Sequence, residues 1–149
     1  MTIRRAQPGD LDKIRVLLQV CDLPHKDLTP AHLEDFLVCR GEEGLQGVVG
    51  LEPSGDVALL RSLAVAPEVR GAGIGARLVD AVEDQAHEAE IRTVYLLTTT
   101  AADYFRARGY EPMAREELPE AIQETEEAAR LCPSSATCMR KTLPATTRP

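Results

Sequence analysis

The sequence predicts a mixed α/β domain built on one central sheet, with helices on both faces. Three observations carry that expectation. Short apolar runs alternate with segments whose apolar residues recur at helical spacing. Glycine and proline punctuate the joins. The length, 149 residues, suits one domain with its own core, and neither an internal repeat nor a low-complexity linker divides it.

The elements follow in order. Thr2 to Ala6 reads as a short strand, closed by Pro8-Gly9-Asp10. Asp10 stands where a side chain caps the next helix, whose apolar face is Leu11, Ile14, Leu17, Leu18 and Cys21. Leu23-Pro24-His25 ends it, and Thr29-Pro30 opens a second helix with Leu33, Phe36 and Leu37 inward. Val38 to Arg40 begins a strand, Gly47 to Glu52 is another, and Pro53-Ser54-Gly55-Asp56 is a turn. Val57 to Ala66 is a long strand with Arg61 and Ser62 at its middle, expected on opposite faces. Pro67 closes it, and a helix then runs to about Ala89 with Ile74, Leu78, Val82, Ala86 and Ala89 on one face. Thr93 to Thr98 is a buried strand, and Ala101 to Arg108 a short helix stopped by Gly109. Tyr110 to Met113 reads as a strand, Pro119 to Leu131 as a polar helix, and Ala136 to Leu143 as the last strand. The domain is expected over residues 1–143, with a frayed tail at 144–149.

Composition excludes several function classes. Asp plus Glu number 24 against 17 Lys plus Arg, a net charge of −7, which opposes a general nucleic-acid surface. Three tyrosines, two phenylalanines and no tryptophan make a poor base-stacking platform. No apolar run approaches the ~20 residues of a membrane span. MTIRRAQPGD carries no apolar signal region, so a cytoplasmic location is expected, with Cys21, Cys39, Cys132 and Cys138 as free thiols or soft ligands. Cys132 and Cys138 lack zinc spacing, and no resident metal is expected.

The informative segment is Leu63-Ala64-Val65-Ala66-Pro67-Glu68-Val69-Arg70-Gly71-Ala72-Gly73-Ile74-Gly75-Ala76. A strand runs into a glycine-rich turn that opens a helix. Backbone amides of such a turn, with the positive end of the helix, suit a phosphate. Arg70 adds a charged donor. The plain alternative is a strand–turn–helix corner made of small residues. Glycines at 71, 73 and 75 miss the G-x-G-x-x-G dinucleotide spacing, and the Gly-Lys-Ser/Thr ending of a P-loop is absent.

Arg70-x-x-Gly73-x-Gly75 after Leu63-Ala64-Val65-Ala66-Pro67 resembles the acetyl-CoA pyrophosphate loop of the GNAT N-acetyltransferases. The resemblance spans nearly the whole chain, and Phe105 to Tyr110 stands where the family has Tyr-x-x-x-Gly-Phe. It implies a GNAT-type fold whose mixed sheet splays at its middle, and acetyl-CoA as cosubstrate. Leu63, Ala64 and Val65 would offer backbone groups to the pantetheine arm. Arg70, Gly71, Ala72, Gly73, Ile74, Gly75 and Ala76 would hold the pyrophosphate. Phe105 would lie against the cosubstrate.

Two narrower resemblances bear on the acceptor. Leu96 to Thr100, Tyr104 to Tyr110 and Glu117 to Glu120 are similar to the acetyltransferase domain of N-acetylglutamate synthase. Leu60 to Val65, Tyr95 to Thr100 and Leu131 to Lys141 are similar to the arsenic-resistance N-acetyltransferases. Together they imply a small-molecule amine acceptor resembling an amino acid, with no nucleic-acid or membrane partner. A homodimer is the family analogy. The family pattern is broken at two positions. Leu59 occupies the place of the usual glutamate base, and Phe105 that of the usual tyrosine acid. The arginine that holds the acceptor carboxylate in N-acetylglutamate synthase falls near Pro133.

Candidate catalytic groups are therefore Arg61, Ser62 and Thr98. Arg61 reads either as a snorkelling arginine or as a carboxylate binder. Ser62 reads either as a packing residue or as a polar group of the site. Arg61, Tyr95, Thr99, Cys132, Ser135 and Cys138 are the candidate acceptor contacts. Tyr95 and the threonines are equally explained by core packing and strand preference. Cys132 and Cys138 read as small buried hydrophobes or as a soft pair for trivalent arsenic. Tyr104 is an alternative acid, and His25 reads as a solvated loop residue or part of the acceptor wall. A non-catalytic acetyl-CoA-binding or arsenical-sensing module is the alternative to an enzyme.

Overall fold

Two short buried runs, Phe36–Cys39 and Gly47–Leu51, pair as an antiparallel hairpin. In the computed structural model, which describes residues 2–42, 44–131 and 135–144, β1 (Thr2–Arg5) pairs with β2 (Phe36–Gly41) and β2 with β3 (Gly44–Ser54). Helix α1 (Leu11–Val20) lays Ile14, Leu17 and Leu18 on a core that includes Leu33, Phe36, Val38 and Val48. Gly50 leaves room on that face, since a Cβ there would overlap the Phe36 ring.

On β3, neighbouring side chains alternate between faces. Val48 faces the α1 core. Gly47 faces α2 (Ile74–Glu88), where an added Cβ would lie 2.8 Å from Leu78 Cδ1 and 3.1 Å from Ile74 Cγ2. The two helices thus cover opposite faces of this part of the sheet. β4 (Val57–Val65) leads into α2, and β5 (Thr93–Thr98) follows it. β5 runs parallel to β4 through Val57↔Thr93, Ala58↔Val94 and Leu59↔Tyr95, the geometry that a helical crossover permits.

Residues up to Glu52 together with Leu60–Gln85 form one compact unit, and Pro53–Leu59 with the chain from Ala86 form another. Within the second, β7 (Thr137–Thr142) is flanked antiparallel by β5 and by β6 (Glu111–Met113). Its core gathers Leu59, Leu118, Ile122 and Cys138, with Val57, Tyr95, Leu97 and Met113 against them. Helix α3 (Ala102–Ala107) buries Phe105 edge-on to Tyr110, ring centroids 5.5 Å apart, and Gly109 turns the chain at φ +95°. Hydrogen-bonded neighbours give one seven-stranded mixed sheet, in the order β1-β2-β3-β4-β5-β7-β6.

Four expectations need correction. Thr29-Pro30 starts only a 3-10 turn (His32–Asp35), because Phe36 and Leu37 are taken into β2. The 119–131 helix is a short α4 (Glu120–Gln123) followed by a π turn (Glu127–Leu131), with Thr125 Oγ1 bonding the Ile122 carbonyl between them. Asp10 stands at the α1 N-cap without capping it through its side chain. Its carboxylate instead accepts the Gln7 N–H at 2.8 Å and pairs with Arg4 at 3.0 Å. Arg61 and Ser62 do not part to opposite faces, as the site geometry explains. Of the 144–149 tail, residues 145–149 lie outside the described residues.

Candidate functional site

The site begins where β4 stops being regular. Ser62 has φ +62°, a left-handed backbone that non-glycine residues seldom adopt, although it is buried inside a strand. The kink breaks the alternation of side chains, so Arg61 and Ser62 meet, and Arg61 Nε donates to Ser62 Oγ at 3.0 Å.

Arg61 is itself held on every side. Its side chain is 0% exposed. Nη1 donates to Asp27 Oδ2 at 2.5 Å and to Glu52 Oε2 at 2.9 Å. Nη2 donates to Asp27 Oδ1 at 2.9 Å and to the Pro24 carbonyl at 3.5 Å. His32 Nε2 lies 3.7 Å from Glu52 Oε1, and its Nδ1 accepts the Thr29 N–H at 3.2 Å. Burial alone would raise the Asp27 pKa, but the hydrogen bond and charge of Arg61 outweigh it and hold the carboxyl below its ordinary range. Asp27, His32 and Glu52 each present a ligand atom within 4.8 Å of the others. The Arg61 guanidinium already bonds both carboxylates, so arginine rather than a cation balances this cluster.

Beyond the kink, β4 ends at Val65 and the chain turns through Pro67–Val69 to Arg70. Gly71 and Gly73 have φ +88° and +80°, and a Cβ at either would meet nothing within 4 Å. These glycines answer a backbone need, not a packing one. Helix α2 starts at Ile74, its ladder opening with Arg77 N–H to the Gly73 carbonyl at 3.1 Å. No acidic residue lies in its first turn, so no carboxylate there offsets the positive helix end. Arg70 folds back over the end of β4, Nε donating to the Val65 carbonyl at 3.2 Å and Nη2 to Cys21 Sγ at 3.4 Å. Backbone amides at a helix start are the kind of group that can hold an anion.

The match is to a family model. Residues 32–112 match the acetyltransferase (GNAT) domain. The chain belongs to the GNAT acetyltransferase family. Among similar proteins is the amino-acid acetyltransferase of Neisseria meningitidis, 27% identical over 128 residues, covering 80% of this chain and 29% of that protein. The amino-acid acetyltransferase of Pseudomonas aeruginosa is 33% identical over 98 residues, covering 64% of this chain and 23% of that one. The chain thus spans less than a third of the length of these curated relatives. N-acetylglutamate synthase from Neisseria gonorrhoeae, in complex with coenzyme A and L-arginine, superposes with a TM-score of 0.81. It is 25% identical, over 95% of this chain and 33% of that one. Rv2747 from Mycobacterium tuberculosis, in complex with CoA and NLQ, superposes with a TM-score of 0.79 at 18% identity, over 96% and 99% of the two chains.

The other expected site residues are placed as follows. Thr98 ends β5, half-buried, with Oγ1 accepting the Ala101 N–H at 3.0 Å, and Thr99 is exposed. Tyr95 packs into the core of the second unit and pairs with Arg140 across β7. Leu59, at the place of the usual base, is fully buried in the same core. Phe105 is 5% exposed, and Tyr104 is 40% exposed beside the Arg108 guanidinium. Ser135 is exposed. Cys138 is buried, and that burial raises its thiol pKa. Cys132 lies outside the described residues. His25 Nδ1 lies 3.0 Å from the Leu23 carbonyl in its own loop. Among the described residues, no helix is long and apolar enough to cross a membrane.

Sequence reasoning missed Asp27, Glu52 and Cys21 as neighbours of the site. Asp27 and Glu52 were legible only indirectly, through the need of an arginine inside an apolar strand for counter-charges. Nothing in the sequence pattern pointed to Cys21.

Proposed function

We propose that the protein transfers acetyl from acetyl-CoA to the primary amine of a small amino-acid-like acceptor, with both reactants bound together. The observation that carries this reading is the β4–turn–α2 unit, with positive-φ glycines at 71 and 73 and Arg70 folded beside them. Loop 70–76 holds the pyrophosphate, and the backbone of Leu63, Ala64 and Val65 aligns the pantetheine arm. The bound thioester supplies an activated acetyl group. The N–H of Leu63 stabilises the oxyanion that forms as the amine attacks. The amine then loses its proton and the thiolate leaves with one, so the bond gained is an amide and the bond lost a thioester. Holding the reactants in line supplies much of the rate. With Leu59 in an apolar core, the base for that proton is a solvent-linked group. Phe105 borders the cosubstrate, and Tyr95, Thr98, Thr99 and Ser135 shape the acceptor side. The relatives named amino-acid acetyltransferases support the acceptor class.

A finer reading adds an arsenic-containing amino acid as acceptor, or a trivalent arsenical at Cys132 and Cys138. It rests on the sequence resemblance, and the burial of Cys138 disfavours the thiolate that arsenic would need. The second reading is a non-catalytic acetyl-CoA sensor, motivated by Leu59 and Phe105. A thiol-release assay with acetyl-CoA over a panel of amino acids and organic arsenicals separates the two. Turnover on any small amine is the expected result. Tight acetyl-CoA binding with no release across the panel supports the sensor instead.

A further inference from the structure

An arginine guanidinium has five N–H donors and no acceptor. In Arg61 all five have an acceptor inside this chain. The two on Nη1 go to Asp27 and Glu52, the two on Nη2 to Asp27 and the Pro24 carbonyl, and the one on Nε to Ser62 Oγ. The side chain is fully enclosed. No donor is left for an acceptor molecule. Asp27 and Pro24 lie on the connection between α1 and β2, Glu52 on β3, and Ser62 at the kink one residue before Leu63. One planar group therefore ties two other segments to the point where β4 changes direction.

We propose that Arg61 is a positioning residue which pins the 22–35 connection and β3 to the Ser62 kink beside Leu63, without itself binding the acceptor. The inference rests on the acetyltransferase reading, because it is the Leu63 backbone and the acceptor amine that must be aligned. The alternative role for a strand arginine, a clamp for the acceptor's carboxylate, would require Asp27 to leave. The Asp27 carboxylate already fills the bidentate fork that such a ligand would use. A substrate carboxylate is accordingly held elsewhere.

Two properties of the cluster set the test. Arg61→Lys keeps the charge and loses the fork. Glu52→Gln keeps a hydrogen-bond acceptor and leaves the Asp27 fork whole, so it is the variant that folds if Arg61→Lys does not. Each is compared with the unaltered protein on an active amino acid and on the amine that lacks its carboxylate. Positioning predicts that Arg61→Lys lowers kcat/KM at least tenfold for both amines alike. The acetyl-CoA Kd by calorimetry stays within twofold, and Glu52→Gln gives a smaller loss of the same kind. A loss confined to the carboxylate-bearing acceptor overturns the proposal, as does a parallel loss of acetyl-CoA affinity. Hydrogen exchange of residues 24–28 against 66–76 reads the same point without turnover. Arg61→Lys should speed exchange in the first segment alone, and unchanged exchange there overturns the proposal. Should the unaltered protein acetylate no amine, it is the acetyltransferase reading that fails, and the exchange result still decides the role of Arg61.

Discussion

The Cys21 thiol lies between the two groups that close the end of β4. It accepts from Arg70 Nη2 at 3.4 Å and donates to the Val65 carbonyl at 3.7 Å. A residue at the end of the first helix thus helps to hold the one arginine side chain of the glycine loop. Losing such a bond costs about 0.5–1.5 kcal/mol, or roughly two- to tenfold in affinity. Cys21→Ala should weaken acetyl-CoA binding by about that factor, whereas Cys21→Ser should restore most of it. Calorimetric titration with acetyl-CoA gives the comparison, and equal affinity in all three proteins would leave Arg70 independent of Cys21.

At Gly73, φ is +80° and no neighbour crowds the position. Gly73→Glu brings both a disfavoured backbone and a carboxylate to the place proposed for the pyrophosphate. Acetyl-CoA binding should fall below detection while the thermal midpoint drops only slightly. Retained affinity would move the cosubstrate away from this loop.

Two carboxylates, Asp10 beside Arg4 and Asp27 beside Arg61, have pKa values held below the ordinary one although burial pushes the other way. A depressed folded-state pKa adds stability that is complete above the unfolded value, near 3.9, and is lost as the pH falls through the folded one. Asp35 acts in the opposite sense, because burial raises its pKa. Urea midpoints measured from pH 7 downward should hold to about pH 4 and then fall. Asp27→Asn should be less stable at pH 7 and show a shallower acid loss. A variant with the parent's acid slope would show that the Asp27–Arg61 pair contributes nothing.

In the first unit, Gly50 faces the fully buried Phe36 ring. Gly50→Ala forces the ring or the strand to move, at a cost of about 1–3 kcal/mol. Phe36→Leu in the same chain should recover part of the loss by vacating the contact. Additive losses in the two single variants and the double would disprove the overlap.

If Cys132 and Cys138 form a soft pair, replacing both by serine should weaken binding of a trivalent phenylarsenical at least tenfold. Binding that is unchanged ends the arsenic reading.

The fold was largely legible, because periodicity and punctuation agree in most segments. Thr93–Thr98 is a strand with the bounds its apolar run predicts, and Gly109 ends α3 as a left-handed residue. The failures share a physical cause, the preference of a local signal giving way to pairing elsewhere. Thr29-Pro30 is a sound helix opening, yet Phe36 and Leu37 gain more as partners of Gly50 and Val49. The glycine-rich turn could be read as a turn because its signal is local, and positive φ falls on Gly71 and Gly73. Asp27 and Glu52 are 34 and 9 residues from Arg61 in sequence, and only the folded chain shows that, together with Pro24 and Ser62, they take up its donors.

Gly47 also limits which changes this sequence can accept. A hydrogen atom on β3 is all that separates Leu78 and Ile74 from a collision, at 2.8 and 3.1 Å for an added carbon. Ile74 is the first residue of α2, directly after the Gly73 turn. The level of that turn, the place proposed for the pyrophosphate, is therefore set by a strand position 27 residues before Ile74. A descendant of this sequence that acquires alanine at 47 would have to trim Leu78 or raise the helix. The glycine turn would then leave its register with β4 without any change in its own residues.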